Sequence, residues 1–93
     1  MKVEIKFFAT LRLYLGVASL TLNLDKPIIV DELINILVEK FNDKKVREYL
    51  VEGKKIKTGT MILINGKNIL HINGLNTVVE EGEISIFPPA GGG

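Results

Sequence analysis

The chain has 93 residues, 46% of them hydrophobic and 25% charged, a balance that supports one folded domain and excludes wholesale disorder. Twelve basic and eleven acidic side chains nearly cancel, so nothing in the net charge recruits DNA, RNA or an anionic membrane. Cysteine is absent, which removes disulfides, thiolate metal sites and thiol nucleophiles together.

Met1-Lys2 leads straight into a strand pattern with no apolar leader. The longest uninterrupted apolar run, Met61 to Ile64, falls far short of a membrane span. The expectation is a soluble, cytoplasmic protein.

Lys2 to Phe8 alternates, with Val3, Ile5 and Phe7 on one face and Lys2, Glu4, Lys6 and Phe8 on the other; this is the period of a half-buried strand. Thr10 is then expected to cap a short helix over 11–15 that turns Leu11, Tyr14 and Leu15 inward and ends at Gly16. A second strand is predicted over 19–24, where leucines alternate with polar residues, and Asp25-Lys26-Pro27 breaks it.

The main helix is predicted over 30–41. Val30, Leu33, Ile34, Leu37, Val38 and Phe41 recur at three and four residues and place a broad apolar stripe on one face. Asp31 and Glu32 in its first turn and Lys40 in its last carry the signs that the helix dipole favours. Asn42-Asp43 ends it. A weaker helical stretch covers 44–51, with Val46, Tyr49 and Leu50 inward, and an exposed loop is expected over 52–59.

Met61 to Ile64 reads as a short buried strand closed by Asn65-Gly66. Residues 69–72 are expected to pair back on it and to end at Asn73-Gly74. After Glu81-Gly82 comes the final strand, 83–87, with Ile84 and Ile86 on one face and Ser85 and Phe87 on the other. A helix and a sheet with one apolar face each must cover one another. The expected fold is therefore α+β: a mixed sheet of four to five strands around one main helix, its first and last strands parallel neighbours in the middle.

Phe87-Pro88-Pro89-Ala90-Gly91-Gly92-Gly93 closes the chain. Pro88 and Pro89 fix their own φ and remove two N–H donors, so strand pairing should stop near Phe87. Glycine has no Cβ, so the last residues can slide through a slot too narrow for a side chain. Extended, residues 88–93 reach roughly 20 Å at about 3.3 Å per residue. Two readings fit these residues alone: a terminus whose carboxylate is the reactive group, or an ordinary flexible end or linker.

Four stretches carry a resemblance: Val3-Glu4-Ile5-Lys6-Phe7-Phe8-Ala9, Ile62-Leu63-Ile64-Asn65-Gly66-Lys67-Asn68-Ile69, Gly82-Glu83-Ile84-Ser85-Ile86-Phe87-Pro88-Pro89, and the final Gly92-Gly93. With them the chain resembles the ubiquitin-like sulfur carriers typified by the small subunit of molybdopterin synthase (MoaD-like), a family that includes the thiamine-pathway carrier ThiS and archaeal ubiquitin-like modifiers. The resemblance implies a β-grasp body over 1–87 and a flexible tail over 88–93. It also shows departures. Ala90-Gly91 stands where the family commonly has Val-Ala, Ile29 stands where a Ser or Thr helix cap is usual, and the stretch 42–60 is longer than in short bacterial carriers.

The family chemistry implies that an adenylating enzyme of the ubiquitin-activating kind transfers AMP from ATP to the Gly93 carboxylate. Sulfur from a separate donor then gives a Gly93 thiocarboxylate, and the tail (Pro88, Pro89, Ala90, Gly91, Gly92) threads into the large subunit of molybdopterin synthase. ATP belongs to that activating enzyme, so no cofactor and no metal is expected on this chain. Phe8 and Phe87 fall on the outward face of neighbouring strands near the tail exit, where they would anchor a partner, unless the short helix or the loop before Met61 covers them.

Lys44, Lys45, Arg47, Lys54, Lys55 and Lys57 form a basic region, and Glu80, Glu81 and Glu83 an acidic one; each reads as a solvated face, or as partner guidance and lysine attachment sites in a modifier. His71 is alone and reads as an ordinary strand residue. No catalytic set of side chains is present, so the chain reads as a carrier and a non-catalytic subunit. Its alternatives are a protein modifier joined through Gly93 to target lysines, a thiamine-pathway carrier, and a β-grasp interaction module with an inert tail.

Overall fold

A computed structural model describes residues 1–89. The first strand, β1 (Lys2–Phe7), buries Val3, Ile5 and Phe7 as its alternation requires. It pairs antiparallel with β2 (Ser19–Asn23). Between them lies the helix α1 (Ala9–Leu15), closed by Gly16 at φ +76, a left-handed cap that glycine adopts without a Cβ penalty. Thr10 does not cap this helix. Phe8, extended at φ −131, is the N-cap with no side-chain bond, so Thr10 already lies inside the first turn. Leu11 is buried and Leu15 packs against the core, whereas Tyr14 is 40% exposed and lies outside the core, its ring 5.1 Å from that of Tyr49.

The main helix, α2, runs Val30–Phe41 as the spacing predicts, and it buries Val30, Leu33, Ile34 and Leu37. Isoleucine has no oxygen to offer at the cap. The helix start is satisfied instead by Glu32, whose carboxylate accepts the Ile29 N–H at 3.2 Å, and by the Thr77 carbonyl, which accepts the Val30 N–H at 2.9 Å. That carbonyl arrives on a pairing that no alternation signals: β3 (Ile28–Ile29) lies antiparallel to a short strand at Val78–Val79.

Asn42, at φ +51, ends α2, and α3 (Lys45–Leu50) follows with Val46 and Leu50 buried. Asp43 joins the two, taking the Lys45 N–H at 2.9 Å and a hydrogen bond from the Tyr14 hydroxyl. That bond pushes the Tyr14 pKa up to about 12 and holds Asp43 below the usual carboxylate range. The stretch after α3 is not a featureless loop. It is a small hairpin of β4 (Val51–Glu52) and β5 (Lys55–Ile56).

The strand β6 (Met61–Ile64) turns at Asn65 (φ +48) and Gly66 (φ +85), both central residues having the positive φ of a type I′ hairpin. The return strand β7 is only Lys67–Asn68. Residues 69–72 do not pair back: the Asn68 side chain accepts the Leu70 N–H at 3.0 Å and bends Ile69–His71 into a 3-10 turn. His71 is thus an exposed residue of that turn, not of a strand. A second 3-10 turn, Gly74–Asn76, leads to β8 (Val78–Val79).

The last strand, β9 (Gly82–Phe87), enters between β1, to which it is parallel, and β6, to which it is antiparallel. The sheet order is β2-β1-β9-β6-β7, the mixed five-stranded arrangement expected. Its inner face and α2 share one core in which Phe7, Leu33, Leu37, Ile62, Ile84 and Ile86 are almost wholly buried.

Candidate functional site

The site of interest is where β9 leaves the sheet. Phe87 pairs with Met61, and this antiparallel register, projected onward, brings Thr60 opposite Pro88 and Gly59 opposite Pro89. Burial agrees: Thr60 and Pro88 are both buried, continuing the inner row of Ile62 and Ile86. Pro89 is half-buried, and a Cβ built on Gly59 would stand 3.3 Å from the Pro89 Cβ. Both prolines therefore lie against the body. Ala90, Gly91, Gly92 and Gly93, the remainder of the expected tail, lie outside the described residues.

The seat under Pro89 is a reverse turn. The Thr60 N–H bonds the Lys57 carbonyl at 3.0 Å, with Gly59 at φ +93, a conformation that glycine adopts at little steric cost. Lys57 ties that turn down twice, through its N–H to the Leu50 carbonyl at 2.8 Å and through Nζ to the Glu48 carbonyl at 2.6 Å. Gly59 and Thr60 carry no motif. Their place beside the exit follows from the β6–β9 register, which no local pattern in the sequence reveals.

On the outer face, Phe8 and Phe87 stack at 4.2 Å between ring centroids with planes 13° apart. Each is half-buried. Met61 shares their face and is 37% exposed, so the exit end of the sheet presents a small apolar patch of two rings and a thioether. Further down the same face the surface turns polar. Lys6 reaches Glu83 at 3.0 Å, and this carboxylate holds the ammonium above its ordinary pKa.

The charged regions divide. Arg47 is committed within the fold, to Asp31 at 2.7 Å and Asn35 at 3.0 Å. Lys44, Lys45, Lys54 and Lys55 are exposed, Lys54 at the tip of the β4–β5 hairpin. Glu80 and Glu81 are exposed in the turn before β9. Among the described residues no His, Cys, Asp and Glu cluster has the makings of a metal site, and no helix is long and apolar enough to cross a membrane.

This sheet order, with a parallel central pair and one long helix across it, defines a ubiquitin-like β-grasp protein. The chain matches the ThiS family over residues 5–93 and belongs to it. It is 31% identical to small archaeal modifier protein 3 of Haloferax volcanii over 94 residues, all of both chains. The solution structure of small archaeal modifier protein 1 from Methanosarcina acetivorans is 32% identical, covering 99% of this chain and 96% of that one, with a TM-score of 0.74. A Pyrococcus furiosus protein assigned as molybdopterin converting factor subunit 1 shares the fold at a TM-score of 0.71 and 22% identity, over 97% of this chain and 99% of that one. These relatives are small carrier and modifier proteins rather than enzymes.

Proposed function

We propose that the chain is a ubiquitin-like modifier of the archaeal kind, acting through its Gly93 carboxylate. The observation that carries this reading is the end-to-end 31% identity with a small archaeal modifier; the sulfur-carrier reading in molybdopterin synthesis has likeness of fold and the Phe87-Pro88-Pro89 exit behind it. Both use one activation. The Gly93 carboxylate attacks the α-phosphorus of ATP, pyrophosphate leaves, and an acyl-adenylate forms. Attack by a target lysine amine expels AMP and leaves an isopeptide bond; attack by a donor persulfide expels AMP, and a second thiol then cleaves the S–S bond, leaving a Gly93 thiocarboxylate and a disulfide on the donor.

The chain's own contribution is presentation. Ordering a glycine tail inside an enzyme costs about 1–2 kcal/mol per residue, and docking of the folded body must offset it. The Phe8, Phe87 and Met61 patch beside the exit is the surface proposed for that docking, on an adenylating enzyme and, in the sulfur-carrier reading, on the large synthase subunit. ATP and any metal are brought by those partners.

Incubation with ATP, a sulfide source and an activating enzyme from the same organism tests this, read by intact-mass spectrometry on the purified protein and by conjugates formed in cell extract. Conjugate ladders on lysines, lost on deletion of Gly93, are the expected result. A gain of one sulfur for one oxygen on the Gly93 peptide, without conjugates, would leave the sulfur carrier alone. An unchanged mass with an enzyme active on another carrier would overturn both.

A further inference from the structure

The sheet has two edges, and they are built differently. β7 is two residues long, carries the exposed Lys67, and ends where Asn68 turns the chain into a 3-10 helix. Shortness and lysine are both ways in which folded proteins blunt an edge. β2 has neither. Its five residues, Ser-Leu-Thr-Leu-Asn, hold no charge and no proline. Its register with β1 runs without a bulge from Lys2↔Asn23 to Lys6↔Ser19.

Hydrogen-bond parity shows what this edge offers. The Phe7 N–H bonds the Ala18 carbonyl at 2.9 Å, and the Leu24 N–H bonds the Met1 carbonyl at 2.8 Å. In an antiparallel ladder bonded pairs alternate, so Leu20 and Leu22 also turn their N–H and C=O groups to β1. Ser19, Thr21 and Asn23 turn theirs to the open side, and all three residues are exposed.

We propose that β2 pairs antiparallel with β2 of a second copy of this chain, about a two-fold axis at Thr21. In that register Thr21 meets its own counterpart and Ser19 meets Asn23, so every outward N–H and C=O of the strand finds a partner. On the core side Leu20 lies opposite Leu22 and Ala18 opposite Leu24, an unbroken apolar row. On the other side only Ser, Thr and Asn meet. Sliding by two residues would leave an outward residue of the strand unpaired, with Asp25 set beside Ser19 in one direction and Val17 beside Asn23 in the other. From Ala18 to Leu24 no side chain is charged, so nothing repels a like strand across the axis. This self-complementarity is what an isologous two-fold contact requires, and it selects a second copy over a foreign strand. A contact of this length buries less than the roughly 1,200 Å² of a standard interface, so the dimer is reversible. β1 separates the axis from β9 in each copy, and both exits stay open.

Sedimentation of the full chain from micromolar to millimolar concentration tests the pairing. The mass should rise from 10.3 kDa toward twice that value. Over the same range the amides of Ser19, Thr21 and Asn23 should gain protection from hydrogen exchange, while those of Leu20 and Leu22 stay as they were. Thr21→Pro removes an N–H that β1 does not use, and Thr21→Lys sets like charges across the axis; both should remain at 10.3 kDa with the fold intact. A wild-type mass constant at 10.3 kDa would overturn the proposal. So would variants that associate like the wild type, or odd-residue protection that appears only on adding an activating enzyme, which would give the edge to a foreign strand.

Discussion

The two ends of β9 are held by opposite means. At its start, the Asn65 N–H bonds the Glu83 carbonyl at 2.8 Å, and the Glu83 N–H returns a bond to Asn65 Oδ1 at 2.9 Å. Gly82 sits there at φ +136 with no room for a side chain: a Cβ would stand 2.3 Å from Asn65 Oδ1. At its exit the ladder stops, since Pro88 and Pro89 have no N–H to give. Phe87 is the last rung, paired with Met61 and stacked on Phe8; past it Pro88 is held by burial and Pro89 by the flat back of Gly59. The entrance is locked by directional bonds and sets the register. Past Phe87, Pro88 and Pro89 are held by shape alone, so they can be drawn toward a partner without breaking a strand hydrogen bond.

The sharpest way to break this contrast is Gly82→Ala. Backbone strain at φ +136 and the collision with Asn65 together should cost about 3 kcal/mol or more. Thermal unfolding should show a Tm lower by about 15 °C at the usual conversion for a domain of this size; a variant as stable as wild type would show that the lock is not where register is set. Gly59→Ala probes the other end. Strain at φ +93 plus pressure on Pro89 should cost about 1–2 kcal/mol. Gly53→Ala, at φ +63 with open space around it, is the control that carries strain without the contact. Near-ultraviolet circular dichroism of the Phe8–Phe87 pair should change in the Gly59 variant and not in the Gly53 one. Equal spectra would remove Gly59 from the seat.

The smallest effect is expected at the ion pair beside the lock. Lys6 has its pKa raised by the Glu83 carboxylate, so its contribution to stability is present below the ordinary lysine value and fades as pH rises through the raised one. Both side chains are solvent-exposed, and screening leaves such pairs little weight. Lys6→Met should move the Tm least of the three and flatten its alkaline decline, and high salt should erase the difference. A large loss at neutral pH would mean that charge, rather than Asn65, secures the entrance.

What the sequence made legible follows the length of each pattern. Val30 to Phe41 spans more than three turns of consistent stripe, and the helix has those bounds. The alternations in β1 and β9 are long enough to assign faces, which is why Val3, Ile5, Phe7, Ile84 and Ile86 stand where expected. Two-residue strands leave no period to read, so β3 with β8 and the β4–β5 hairpin stayed hidden. At Ile69–His71 an apolar run looks like a strand, but the Asn68 side chain captures a backbone donor first. Thr10 failed as a cap because the helix begins two residues earlier than expected, at Ala9, which has φ +53. Of the exit, the stacked aromatics and the ladder-ending prolines were readable; Gly59 and Thr60 belong to it only through a pairing between distant strands.

The parallel pairing of β1 with β9 also settles how this protein is best handled. Because the two strands run the same way, Met1 emerges at one end of the sheet and Pro88 at the other, about 20 Å apart for strands of this length. The Met1 ammonium bonds the Leu24 carbonyl at 2.8 Å, on the far side from Gly59 and Phe87. An affinity handle or fluorophore on the N-terminus therefore leaves the exit unobstructed. Copies fused head to tail would extend along the strand axis as beads in series, each exit feeding the next entrance.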